Sequence, residues 1–296
     1  MPFLLLGAGQ VAVGAAAIFA RLGLTGASPL AVSAARLAIA SIVLLAIGLF
    51  RSPASLRVPR RQAVVLAAAG CALAVHFGTW IASLQYTSVA ISTLLVATTP
   101  IWTAAYDALV LHRPLTRRAL AAFGTAAAGV CAIVGFNRTA APVPGHDIAG
   151  ALLALTGSVA IAAYFILVRE VRAELGTRTI VTHTYGWAAI VLIALAAITR
   201  QPPPAPSDAT AWGGILAMAL VSQLLGHTAM NASLRWFTPS AVAFSTLLEP
   251  VVAAVLALLL FGEAIAPTAI AGAVVLLASI AVVLKEEPRT DAVTSG

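Results

Sequence analysis

Charge is what this chain of 296 residues has least of: Asp, Glu, Lys and Arg make up only 9% of it. A soluble domain carries about 25% charged and about 45–50% apolar residues. Here 61% is hydrophobic, at a mean hydropathy of +1.01, more than a water-facing fold can bury. The chain is read as an integral membrane protein. Cysteine is nearly absent too. Cys71 and Cys131 each sit in an apolar run, too few for a disulfide framework or a metal site, and read as packing residues. No HExxH pattern, P-loop or paired acidic cluster occurs. That leaves no ATP site, metal or cofactor to expect, and argues against an enzyme. Gly157-Ser158 is a faint echo of a serine nucleophile, with no histidine placed beside it. A channel would need a filter motif or an acidic ring, and there are too few acids. The alternating ten-residue segments of a β-barrel are missing; the runs at 152–168 and 251–261 are continuous. The N-terminus lacks the basic stretch of a signal peptide.

What is present divides into ten apolar segments near the length a helical span needs, roughly 17–25 residues. They fall at about 3–20, 28–50, 63–84, 88–111, 119–136, 148–168, 179–199, 211–230, 238–261 and 267–284. Sixteen prolines and 22 glycines are tolerated where neighbouring helices re-satisfy the backbone. The net charge of +7 and pI near 10.4 come from residues scattered over loops. This suits membrane orientation and not nucleic-acid binding. With the N-terminus inside, thirteen basic residues fall in cytoplasmic segments and three (Arg21, Arg138, Arg200) outside, so both termini are expected in the cytoplasm.

Ala82-Ser83-Leu84 running on to Pro100 recurs as Ala232-Ser233-Leu234 running on to Pro250, with six of 34 positions identical. An odd number of spans per half inverts the second copy. The charges agree: the first-half loop carries Arg113, Arg117 and Arg118, its counterpart only Glu263. The expected fold is an all-α membrane protein, ten transmembrane helices forming two inverted five-helix repeats. Residues 1–140 form the first half, 141–285 the second, and 286–296 a short cytoplasmic tail.

Ser28-Pro29 with Arg36-Leu37-Ala38, Thr98-Thr99-Pro100-Ile101-Trp102, Leu248-Glu249-Pro250 and Phe261-Gly262-Glu263 together resemble the drug/metabolite transporter superfamily, and within it the ten-helix EamA-type exporters. The resemblance runs from residue 3 to about 285. The chain departs from it at His112-Arg113, where many relatives carry Gly-Glu, and at Gln10, near a common Trp-Gly pair. The resemblance is nearest to bacterial inner-membrane amino-acid exporters, including the aromatic type. It implies two inverted five-helix halves around a central cavity, and efflux by alternating access. Carriers of other small metabolites or drugs are the alternative, and an intramembrane enzyme a remote one. The expected partners are a small-molecule substrate, the lipid bilayer and, for coupling, protons, with the chain as monomer or homodimer.

Charge inside a span costs about 2.5–3.5 kcal/mol at a helix centre on insertion scales, so the three instances stand out: Arg36, Asp107 and Glu249. Glu249 precedes Pro250, whose missing N–H is expected to leave the Thr246 carbonyl without its helical partner. Beside that carbonyl its carboxyl would take a substrate amine or a proton, or hydrogen-bond between helices. Arg36 is a charge partner for Asp107 or Glu249, or a substrate-carboxylate contact. Asp107, near a span end, reads as a rim or gate residue.

The other cavity candidates are His76, Thr79 and Trp80 on one turn, a stacking surface with a polar tip. Trp102 is another, lying deep in its span. Tyr164 lies where the second half echoes the Gly14 region. Gln223 and His227 stand in a stripe with Asn231 at i, i+4, i+8. Thr99 and Ser245 have hydroxyls that either satisfy freed carbonyls or meet a zwitterion. Pro100 and Pro250 are the expected hinges. Glu249, His76 and His227 are the titratable candidates for proton coupling.

Overall fold

Short polar residues set several helix starts. Ser28 Oγ accepts from the Ala31 N–H at 3.3 Å, and Thr238 Oγ1 accepts from Ala241 N at 3.2 Å. Each stands just before a proline, Pro29 or Pro239, whose missing N–H costs nothing in a first turn. Asp208 caps a third start, accepting from Ala211 N at 2.9 Å. The computed structural model describes residues 2–51, 56–87, 89–112 and 147–261, with isolated positions between 116 and 128 and between 271 and 279.

The described regular structure is entirely helical. In chain order it comprises α1 (Pro2–Gly14), α2 (Ala16–Gly23), α3 (Pro29–Arg51), α4 (Arg60–Tyr86), α5 (Val89–Val96), α6 (Thr99–Leu109), α7 (Asp147–Val171), α8 (Thr177–Ile198) and α9 (Ala209–Ala217). A π-helical segment, Met218–His227, then leads to α10 (Thr228–Ser233). After α11 (Pro239–Ser245), a 3-10 turn, Thr246–Leu248, leads to α12 (Glu249–Phe261). Seven stretches are long and apolar enough to cross a bilayer: Pro2–Gly23, Pro29–Arg51, Arg60–Tyr86, Ile148–Val171, Thr177–Ile198, Ala209–Ser233 and Pro239–Leu260. The chain is a multi-pass membrane protein. The span expected at 88–111 is two helices, α5 and α6, parted at Ala97-Thr98. Those expected at 119–136 and 267–284, Cys131 and the 286–296 tail lie largely or wholly outside the described residues.

Helix α4 lies along α7 for much of its length and also meets α3 and α8; α1 packs against the π-helical segment, α10 and α12. In hydrocarbon there is no hydrophobic drive between helices, so close approach must come from small residues. A Cβ on Gly14 would lie 2.6 Å from Val252 Cβ, and one on Gly226 would lie 3.1 Å from the Gly9 carbonyl. The apolar side chains left outside, such as Leu4, Phe50, Leu109 and Ile198, are strongly exposed, as a lipid-facing surface requires. Cys71 is free and exposed. It does not pack in the core as its apolar run suggested, because it falls on the outward stripe of α4.

One loop is pinned by charge. Arg172, just past the end of α7, donates to the Leu175 carbonyl at 3.1 Å and to Thr177 Oγ1 at 2.8 Å. Burial, with the Arg235 cation adding to it, pushes its pKa down to about 10, so it stays charged at neutral pH.

Candidate functional site

Four helix interruptions converge on one internal cavity. Val13 and Ala16 flank the turn at Ala15 between α1 and α2. Val96 and Thr99 flank the break between α5 and α6. His227 and Met230 stand where the π-helical segment gives way to α10. Thr246 and Glu249 bracket the 3-10 turn before α12. All eight residues line the cavity, with Ile161 from α7 and His76, Phe77 and Trp80 from α4. The cavity volume is about 30 Å³, room for a water or two.

The aromatic wall is ordered. His76 and Trp80 stack at 6.2 Å between centroids, 6° from parallel. Phe77 meets His76 edge-on at 4.7 Å and His227 edge-on at 5.2 Å. His76 Nδ1 lies 2.9 Å from the Gly157 carbonyl. A carbonyl only accepts, so that nitrogen carries the proton and Nε2 is left as the acceptor in the neutral ring. Glu249 faces the cavity, and no hydrogen-bond partner meets its carboxyl group among the described residues.

Hydroxyls hold both proline breaks in the same way. Thr98 and Thr99 donate to the carbonyls of Leu95 and Val96, each at 2.6 Å. Ser245 and Thr246 donate to those of Val242 and Ala243, at 2.6 and 2.7 Å. The Thr246 carbonyl is not left open as Pro250 suggested. The chain tightens into a 3-10 turn, and the Glu249 N–H donates to it.

The remaining expected residues are dispersed. Thr79 turns away from the cavity, donates to the Val75 carbonyl at 2.8 Å, and lines a separate groove of about 500 Å³ with Gln85, Tyr86 and Gln201. Trp102 is 38% exposed and donates through Nε1 to Ser158 Oγ at 3.1 Å; it is not among the cavity-lining residues. Tyr164 is buried behind the wall, donating to Asn231 Oδ1 at 2.8 Å. Ser245 accepts from Gln10 Nε2 at 2.7 Å. Arg36 reaches neither Asp107 nor Glu249: its NH2 donates to Gln223 Oε1 at 2.7 Å, and its Cζ lies 4.0 Å over the Phe77 ring. Asp107 pairs instead with Arg169 at 3.2 Å. Asn231 lies within α10 and donates from Nδ2 to the His227 carbonyl at 2.8 Å.

Sequence reasoning passed over three contributors. Ser158 was weighed only as a nucleophile. Its Oγ lies 3.0 Å from Thr98 Oγ1 and 3.2 Å from Thr99 Oγ1, and donates to the Val96 carbonyl at 3.1 Å, joining α7 to the first break. Gln10 figured only as a departure from a motif. Phe77 looked like one more apolar residue. Its signal was its place between two singled-out residues, His76 and Trp80. Among the described residues no group of His, Cys, Asp and Glu gathers as a metal site.

Interrupted membrane helices closing on a mid-span cavity are a transporter's architecture. The sequence matches the EamA-like transporter family over residues 2–135 and 148–285, and the chain belongs to that family: it is a membrane transporter of small substrates. The two matched stretches are the family's two repeats. No curated protein matches the chain. Its fold is similar to that of a crystal structure 18% identical in sequence, with a TM-score of 0.77 over 95% of this chain and 96% of the other.

Proposed function

We propose that the protein exports amino acids, apolar and aromatic ones among them, across a bacterial-type inner membrane by alternating access. The observation that carries this reading is the cavity wall: a stacked His76–Trp80 pair with Phe77 faces a carboxyl group, Glu249, in the same small chamber. An aromatic surface suits an apolar side chain, and an unpartnered carboxyl suits an amine or a proton. The halves 1–140 and 141–285 act as inverted units that rock about the breaks near Pro100 and Pro250, with both termini in the cytoplasm. Protons couple through Glu249, with His76 and His227 as further titratable groups. The chamber's small volume fits a carrier between its open states, since a carrier must close around its centre once in each cycle.

Purified protein in liposomes should take up labelled phenylalanine or leucine saturably. Uptake absent for every amino acid, yet present for a sugar phosphate or a cationic drug, would replace this reading with the alternative of a carrier for other metabolites.

A further inference from the structure

Arg36 is a permanent cation in the middle of a membrane bundle, wholly buried at 0% exposure, and no carboxylate pairs with it among the described residues. Its guanidinium has five N–H donors. One nitrogen donates to Gln223, and the plane lies on Phe77. Among the described residues its Nε and NH1 have no hydrogen-bond partner, nor does Gln223 Nε2, nor His227 Nδ1. These orphans are contiguous. Gln223 uses its oxygen on Arg36, so its NH₂ lies one carbon further on. Arg36 and His227 touch the same Phe77 ring. The orphans are also of one kind. The three on Arg36 and Gln223 are N–H donors, and the imidazole nitrogen donates in the appropriate tautomer.

Buried polar groups are nearly always satisfied, and a buried charge nearly always has a counter-ion. A cluster of unfilled donors around a cation is complementary to an anion, and a guanidinium fork fits a carboxylate best of all. The π-helical segment helps to build it. Both Gln223 and His227 sit on that segment, and Met218–His227 departs from α geometry over its whole length, as helices often do at functional sites. The cavity is close by: Phe77 and His227 line it, and Arg36, which does not, stacks on the Phe77 ring.

We infer that Arg36, Gln223 and His227 form an anion subsite screened by Phe77, which takes the carboxylate of the transported molecule when the ring turns aside. This rests on the cavity being the transport site. It makes the free carboxylate, across from Glu249, the group on which recognition depends.

The test uses full-length protein in liposomes, reading competition against labelled phenylalanine. Phenylalaninamide, which keeps ring and amine but lacks the carboxylate, should compete at least tenfold more weakly than phenylalanine. 3-Phenylpropionate, which lacks the amine, should compete measurably. Gln223→Glu supplies Arg36 with an internal carboxylate that fills the subsite. It should weaken phenylalanine uptake at least tenfold while thermal stability in detergent is kept or raised. A merely structural Arg36 would leave uptake in Gln223→Glu unchanged. Equal competition by the amide, or unaltered uptake in that variant, overturns the subsite while leaving amino-acid export standing. If no amino acid is transported but labelled 3-phenylpropionate is, export of amino acids fails and the subsite holds.

Discussion

Asp107 joins three helices: its Oδ1 accepts from Arg169 at 3.2 Å and its Oδ2 from Ser240 at 2.7 Å. The contact ties α6 to α7 and to α11, so it links the two proline-broken spans near one end of the bundle. The side chains keep 30% and 15% exposure, and a part-exposed ion pair contributes only about 0–1 kcal/mol after solvent screening. Asp107→Asn should therefore lower thermal stability by no more than that, while loosening the closure at this end. Faster substrate counterflow with little change in melting temperature is the expected outcome. Unchanged exchange kinetics would reduce the contact to a passive link.

Gly14 is a close-packing position, where an added Cβ meets Val252 at 2.6 Å. Gly14→Ala should push α1 off α12 and cost about 1–3 kcal/mol of overpacking. Gly7, with nothing near its Cβ position, is the control, and Gly7→Ala should be silent. Thermal unfolding in detergent reads both; equal melting temperatures would sink the packing argument.

Membrane character and the two breaks were legible because composition and proline report directly on solvent and backbone. Contacts spanning long sequence distances were not. The sequence names Arg36 as costly but cannot choose its partner, since Gln223 lies 187 residues away. The stripe Gln223, His227, Asn231 assumes α-helical pitch, whereas the chain is π-helical through His227. Asn231 binds backbone and Tyr164, and only His227 reaches the cavity. The hydroxyl bonds also revise which residues correspond. Thr98-Thr99 behave as Ser245-Thr246 do, which offsets the two prolines by three residues and places Glu249 opposite Trp102. Proline identity alone could not show this, because the hydroxyl bonds, and not the prolines, mark the matching positions.

Ser158 serves as acceptor for the Trp102 indole and as donor to the Val96 carbonyl. Ser158→Ala leaves the indole N–H without that acceptor, at a cost of about 0.5–1.5 kcal/mol, the net worth of one hydrogen bond at a part-exposed side chain. Ser158→Thr keeps the hydroxyl and should recover part of the loss. The melting temperatures of the two variants check this. Identical values would show that the hydroxyl contributes nothing.

Pro250 follows a turn already tightened to 3-10 geometry. In Pro250→Ala the missing N–H returns and a continuous α-helix becomes accessible through this region. If the break is where the span bends during transport, turnover should fall several-fold while the half-saturation concentration stays nearly constant. A change in apparent affinity with turnover intact would assign the proline to substrate contact instead.

Glu249 faces the cavity from α12, with no partner for its carboxyl group among the described residues. An unpaired carboxyl inside a bilayer is expensive when charged, so it gains a proton or a cationic group readily. On the proposed reading, protonation and substrate amine are alternatives at this one position, and the carrier exchanges one for the other. Glu249→Gln fixes the neutral form. Uphill accumulation driven by a pH gradient should be lost, whereas exchange of substrate for substrate down equal concentrations should continue. If the variant still accumulates substrate against its gradient, the coupling proton binds elsewhere, and His76 or His227 becomes the group to replace next.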